Sequence, residues 1–276
     1  MKNSAPRIAE LWAYPVKSCA GIRLTTAALA DYGISGDRMF MVVNEAGEHI
    51  TQRDFPALAV VQTDLRGDFL TLRAEGMREL LLPLDDEPEQ TLAISVWGHH
   101  SPAHDAGNAA AEWFSAYLSA NLRLVRIGSA FRRTVDSGII TFRREVSFVD
   151  SYPLMTLSRA TLAFLNERLS VPVPMNRFRP NIVVENAAPF AEDSWRVIRA
   201  GGSELHFGKQ CGRCVVPNID QKTGRPDGKE PLQTLSMFRR DSGGKVVFGA
   251  YFAHVRPGDV LREGDEILVE RTEVDK

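Results

Sequence analysis

Residues 38–53 read Arg38-Met-Phe-Met-Val-Val-Asn-Glu-Ala-Gly-Glu-His-Ile-Thr-Gln-Arg53, a nearly continuous apolar run, a Gly-containing turn and a second short run. Large and β-branched apolar side chains suit a pleated, buried surface, so the pattern predicts a strand, a turn and a partner strand. Downstream, Leu58-Ala-Val-Val-Gln-Thr-Asp64 and Phe69-Leu-Thr-Leu-Arg73 flank Arg66-Gly67-Asp68, a second hairpin signal. Strands this short and closely spaced predict an antiparallel sheet or barrel instead of a doubly wound fold. The acidic stretch 83–88, with Asp85-Asp86-Glu87, reads as an exposed loop.

Further along, strands are expected at 181–185, 204–207, 246–252 and 266–270, with Gly258-Asp259 and Gly264-Asp265 as tight turns of a closing meander. Helical spacing occurs at three places. Ala110, Phe114, Tyr117 and Leu118 form one stripe, with an Asn-type start at Gly107-Asn108. Leu162, Leu165 and Leu169 form another, entered near Thr156 or Ser158 and stopped before Pro172. Pro231 opens the third, with Leu232, Leu235 and Phe238 on one side. The class expected is α+β, predominantly β, with a boundary between two halves near 120–135.

Charge and composition exclude several functions. Lys+Arg number 33 against 35 Asp+Glu, so the chain lacks the basic excess of a nucleic-acid polymer binder. At 44% hydrophobic and 25% charged it is a folding sequence, and 276 residues suffice for a real core. The N-terminus holds no signal-peptide core and nowhere do 18 apolar residues run together, so a soluble, cytoplasmic chain with no membrane partner is expected. The 3 cysteines argue against a disulfide scaffold and for a reducing compartment. The sequence contains no P-loop, no Gly-x-Gly-x-x-Gly after a strand, no His-Glu-x-x-His and no Gly-x-Ser-x-Gly elbow. His99, His100 and His104 read best as a solvated loop.

Cys211-Gly-Arg-Cys214 admits four readings. Structural zinc needs four ligands, and only His206 lies nearby. A redox dithiol belongs at a helix N-terminus, whereas Val215-Val-Pro-Asn-Ile-Asp220 reads as a strand-like run ending in a turn. Two buried structural thiols are a third possibility. In the fourth, one thiolate ligates a soft metal, with Arg213 lowering the thiol pKa of Cys214. Cations recur beside apolar strands and turns at Lys17, Arg38, Arg53, Arg132-Arg133, Arg143-Arg144, Arg177 and Arg179. Arg179 stands out, because Asn176-Arg-Phe-Arg-Pro-Asn181 leads straight into a buried-looking strand. A guanidinium there needs an anion such as phosphate. Thiolate and arginines together suggest a phosphorylated metal cofactor.

These features, with Leu11-Trp-Ala-Tyr-Pro-Val-Lys-Ser-Cys19, Gly36-Asp-Arg38, Ala191-Glu-Asp-Ser-Trp195, Asp220 with Thr223-Gly224, Lys229-Glu-Pro-Leu-Gln-Thr-Leu235 and Phe248-Gly-Ala-Tyr-Phe252, resemble the MOSC-domain family and its amidoxime-reducing branch. The resemblance implies an N-terminal MOSC β-barrel domain over 1–125 and a MOSC cofactor-binding domain over 126–276, with a few flanking helices. It implies the molybdenum cofactor, Mo-molybdopterin, with Cys214 as metal ligand. Lys17, Ser18, Arg38, Ser151, Tyr152, Arg179, Asn181, Arg213 and Tyr251 would contact the cofactor, and Asp150 would deliver protons. At the loop 151–152 relatives carry Thr-Ser, so Tyr152 departs from the pattern, as does Pro217-Asn218 where they carry Thr-Thr.

The implied activity is reduction of small N-hydroxylated substrates by a monomer. A single extra thiol cannot hold an iron–sulfur cluster. Electrons are therefore expected from a separate donor protein, ferredoxin- or cytochrome b5-like. The alternative is a cofactor carrier or sulfur-transfer module without turnover.

Overall fold

The structure, a computed structural model, describes residues 4–84, 90–135, 142 and 144–272. The acidic residues Asp85-Asp86-Glu87 and Arg143 lie outside the described residues. The apolar run at 38–43 forms the strand Phe40–Val43, buried at every position. Its continuity has a physical cause: the strand is covered on both faces. Phe40 and Val42 pack with Leu58, Phe114 and Leu124, while Met41 and Val43 pack with Ile94, Val125 and Phe148. It lies at one edge of a four-stranded sheet in the order Phe40–Val43, Arg123–Arg126, His99–Asp105, Thr91–Val96.

The expected return strand does not form beyond a single bridge from Val43 to His49. The Asp54 carboxylate accepts from both the backbone N–H and the hydroxyl of Thr51, at 2.9 and 3.0 Å, and turns the chain there. The second hairpin is present as Gln62–Arg66 against Phe69–Arg73, extended by Leu80–Pro83. It starts later than expected, because Pro56 sets the chain into a 3-10 helix over Pro56–Val60.

Helix α1, Asn108–Leu118, buries Ala110, Trp113, Phe114 and Leu118. Its N-cap is Gly107, and Asn108 is the first helical residue. The Asp105 carboxylate receives the Gly107 N–H at 3.0 Å, and the Asn108 side chain instead accepts from Arg123. Helix α2, Arg159–Asn166, is capped by Ser158, whose hydroxyl accepts the Thr161 N–H at 3.0 Å. Two short helices follow, α3 at Ala191–Ser194 and α4 at Leu232–Phe238.

An eight-stranded sheet joins the two ends of the chain, in the order Ile22–Leu24, Arg7–Ala13, Ile182–Glu185, Leu154–Ser158, Val247–His254, Ser203–Gly212, Trp195–Ala200, Leu268–Thr272. One pair in it is parallel, Leu154–Ser158 with Ile182–Glu185, and α2 lies in the connection between them. The closing strands do not form a meander. Val260–Arg262 pairs with Thr26–Ala30, where Leu261 packs with Ala27 and Leu29, while Leu268–Thr272 returns to Trp195–Ala200. Residues 215–220 are likewise not one strand: Pro217 lies in a 3-10 helix, Val216–Asn218, before the short strand Ile219–Asp220.

A basic cleft holding an exposed cysteine

Loops from both halves of the chain converge on one cleft of about 830 Å3, its open mouth included. Its walls carry six cations, Lys17, Arg38, Arg53, Arg177, Arg179 and Arg213, against one carboxylate, Asp150. Seven non-glycine residues among those described have positive φ. Four of them, Ser18 (71°), Arg38 (48°), Trp97 (54°) and Arg179 (53°), line this cleft. Each such conformation costs about 1–3 kcal/mol and persists where the surroundings impose it, most often at functional sites.

The arginines form an ordered layer. The Arg38 and Arg179 guanidinium carbons lie 4.3 and 4.2 Å from the Tyr14 ring centre. Arg38 Nη1 donates to both oxygens of buried Asp37, at 2.8 and 2.6 Å, and to Asn181 Oδ1 at 3.0 Å. Its Nη2 donates to the Arg179 carbonyl at 3.2 Å. Asn181 also accepts the Met155 N–H and donates to the Trp12 carbonyl, so its amide fixes Arg38 in place. Arg179 donates from Nη1 to the Cys19 carbonyl at 2.6 Å, while its buried Nη2 has no partner. Burial pulls the Arg179 guanidinium down to about 10, and Arg38 adds to the effect. It remains a cation at neutral pH. A buried unpaired donor on a cation is costly, and an anion in the cleft would satisfy it.

Lys17 is buried, donates to the Phe148 carbonyl at 2.8 Å and pairs with Asp150. Burial pushes the Asp150 carboxyl up, but the Lys17 ammonium, helped by Arg38 and Arg53, outweighs this and holds it below the usual carboxylate range. The carboxylate is thus the charged partner of the Lys17 ammonium in the cleft wall. What it does is orient Lys17.

Cys211 and Cys214 face different surroundings. Cys211 is the inward residue near the end of Ser203–Gly212, packed with Met155, Leu157, Phe178 and Phe248, and burial pushes its thiol up. Cys214, two residues past that strand, is exposed and lines the cleft. Arg213 is tied to backbone carbonyls on both sides. Its Nε and Nη2 donate to the Phe248 carbonyl at 2.9 and 2.6 Å, and its Nη1 to the Phe178 carbonyl at 2.9 Å. These bonds fix the backbone from which Cys214 projects. Tyr152 and Tyr251 stack with ring centres 6.1 Å apart in the wall, and the buried Tyr152 hydroxyl has no partner.

Of the residues singled out in the sequence, Lys17, Ser18, Arg38, Asp150, Tyr152, Arg179, Asn181, Arg213, Cys214 and Tyr251 meet in the cleft, and Ser151 is not among its walls. Among the other cations, Arg53 and Arg177 also line it. Arg133 instead ties the carbonyls of Ser147 and Val149 together, and Arg144 bonds the Val255 carbonyl. Arg177 binds Asp220 and Asp227, at 3.1 and 2.6 Å, and so anchors the loop that follows Cys214. Sequence reasoning missed Gln52 and Trp97. Gln52 was hidden in an expected strand; its amide donates to the Ser18 carbonyl at 2.6 Å and exchanges bonds with Gln221. Trp97-Gly98 had a usable signal, a Trp where a two-residue hairpin turn ordinarily takes Asn.

Comparison with known proteins agrees with this architecture. Residues 5–121 match the MOSC N-terminal beta barrel domain and residues 143–268 the MOSC domain. The chain belongs to the MOSC-domain family. Within it, the chain is 36% identical to mitochondrial amidoxime-reducing component 1 of Mus musculus, across 95% of this chain and 82% of that protein. It is 34% identical to the Homo sapiens protein of the same name, over the same shares. It is also 32% identical to the molybdenum cofactor sulfurase of Danio rerio, across 91% of this chain and 32% of that protein. Among the described residues, no helix is long and apolar enough to cross a membrane.

Proposed function

We propose that this cleft holds the molybdenum cofactor and that the chain reduces N-hydroxylated compounds (hydroxylamines, amidoximes, N-hydroxylated bases) with electrons from a separate donor protein. The observation that carries the reading is the partnerless, buried Arg179 Nη2 in the same basic cleft as the exposed Cys214 thiol. The residues present fit such a group: guanidinium for phosphate, thiolate for a soft metal, and an unpartnered Tyr152 hydroxyl for a polar ring. When bound, the cofactor supplies a two-electron centre able to take an oxygen atom from the substrate.

The chain's own groups then do the following. Cys214 is the metal ligand, placed by the bonds of Arg213 and by the Arg177-anchored loop. Arg179 neutralises the phosphate, and Arg38 with Asn181 holds Arg179 in position. The Lys17–Asp150 pair keeps one cation fixed in the wall. Residues 1–125 contribute Lys17, Ser18 and Arg38, and residues 126–276 contribute Cys214, so the site needs both parts. The reaction balances as R–NHOH with two electrons and two protons giving R–NH2 and water.

The test begins with protein from a host that makes the cofactor. Molybdenum by elemental analysis and oxidised pterin by fluorescence are expected near one per chain, with reduction of benzamidoxime by an artificial donor. Well-folded protein without metal and pterin would overturn the reading. The similarity of nearly this whole chain to part of a molybdenum cofactor sulfurase favours one second reading, a carrier or sulfur-transfer module. Loaded protein that is inert toward N-hydroxylated compounds would select it.

A further inference from the structure

Trp97 is the least expected residue of the cleft. It occupies the first position of a two-residue turn between Thr91–Val96 and His99–Asp105, with φ of 54° there and 76° at Gly98. Such turns ordinarily take Asn or Asp before Gly, because a bulky side chain is strained at positive φ. The strain does not serve the core: Trp97 is 44% exposed and lines the cleft. Nor is the ring loose. The His49 ring packs against it with centres 4.8 Å apart, the Arg53 guanidinium lies 4.7 Å from the ring centre, and Lys17 Nζ lies 5.7 Å away. A rigid aromatic surface, braced by cations and open to solvent, thus stands in the wall of a cleft whose anion-seeking donor, Arg179 Nη2, is buried.

We propose that the Trp97 indole is a stacking platform that selects flat, aromatic N-hydroxylated substrates over small aliphatic hydroxylamines. The inference rests on the reductase reading and names the substrate class of that site. Stacking suits this geometry because every base has a π-face, and base–aromatic contacts tolerate variation in ring substituents. A small hydroxylamine has no such face and gains nothing from the indole. Trp97 therefore acts as a specificity-determining residue and takes no part in bond breaking.

The test compares wild type, Trp97→Ala and Trp97→Phe in cofactor-loaded protein. For 6-hydroxylaminopurine, Trp97→Ala is expected to raise KM about tenfold or more with kcat within about twofold, the size of one lost base–aromatic stack. Trp97→Phe should restore most of the loss, and KM for hydroxylamine should be unchanged in all three. Calorimetry with adenine, the amino product, gives a readout free of turnover: its Kd should weaken about tenfold in Trp97→Ala. Equal KM changes for both substrates, or unchanged adenine binding, would overturn the proposal. Loss of pterin from Trp97→Ala would also overturn it, by assigning the indole to the cofactor. If wild type reduces neither compound, the reductase reading fails by itself, and adenine binding still decides the platform.

Discussion

Two cysteines three positions apart line one cleft, one buried and one exposed, and the cause is local. Ser203–Gly212 carries Cys211 into the core, then Arg213 ties its guanidinium to two carbonyls and leaves the next side chain facing out. The thiols are therefore not interchangeable. Cys214→Ser is expected to lower molybdenum content and benzamidoxime turnover by about a hundredfold or more, since residues merely supporting a metal ligand already account for about 10–100-fold. Cys211→Ser should keep most of both and lose about 1 kcal/mol of stability, because a hydroxyl replaces a thiol in a buried, largely apolar setting whose polar neighbour is the Tyr251 hydroxyl. Metal per chain, turnover and urea unfolding measure all three effects. Equal loss of metal in the two variants would point to a dithiol site instead.

Elements of the cleft wall depend on each other in a way that single residues hide. The register of Ser203–Gly212 against Val247–His254 shifts between Phe207 and Lys209, and a side-chain carbon at Gly208 would come within 2.3 Å of the Tyr152 ring. The glycine makes room for the tyrosine ring. Gly208→Ala should therefore cost about 1–3 kcal/mol by overpacking. In a Tyr152→Ser background at least half of that penalty should vanish, a coupling read from urea unfolding of the double-mutant cycle. An equal penalty in both backgrounds would mean that the glycine serves another neighbour.

The same scale shows what the sequence could reveal. The run at 38–43 was legible because burial on both faces leaves a continuous apolar signature, and the three main helices because their stripes repeat at helical spacing. Strand partners were not legible: alternation reports a face, never a neighbour, so the closing strands went to different sheets unannounced. The cleft's cations were visible as residue types, yet Arg177 could be told from Arg133 only by where each bonds.

At the scale of the molecule, the two halves are joined through shared sheets, and one buried histidine sits at a junction. His254 ends the strand Val247–His254 in the eight-stranded sheet, and its Nε2 bonds the carbonyl of Ala30, at 2.8 Å, in the strand beside Val260–Arg262. Burial pushes its pKa down to about 4, with Arg144 reinforcing the shift while Asp31 and Asp259 oppose it. The sign follows from which state holds the proton. Between about pH 6.5 and 4 the unfolded chain binds a proton at this histidine and the folded chain does not, so stability rises with pH across that window. Below about pH 4 both states are protonated and the contribution is flat. The shift corresponds to about 3 kcal/mol lost on acidification, at about 1.4 kcal/mol per unit. His254→Gln keeps an amide donor for the Ala30 carbonyl and cannot titrate. Urea unfolding from pH 7.5 to 4 should show the wild type losing about 3 kcal/mol more than the variant. Taking the difference cancels the other groups that titrate in this range, His49 among them. Parallel curves for the two proteins would mean that His254 takes up its proton as readily in the fold as in the unfolded chain, so that burial does not hold the ring neutral.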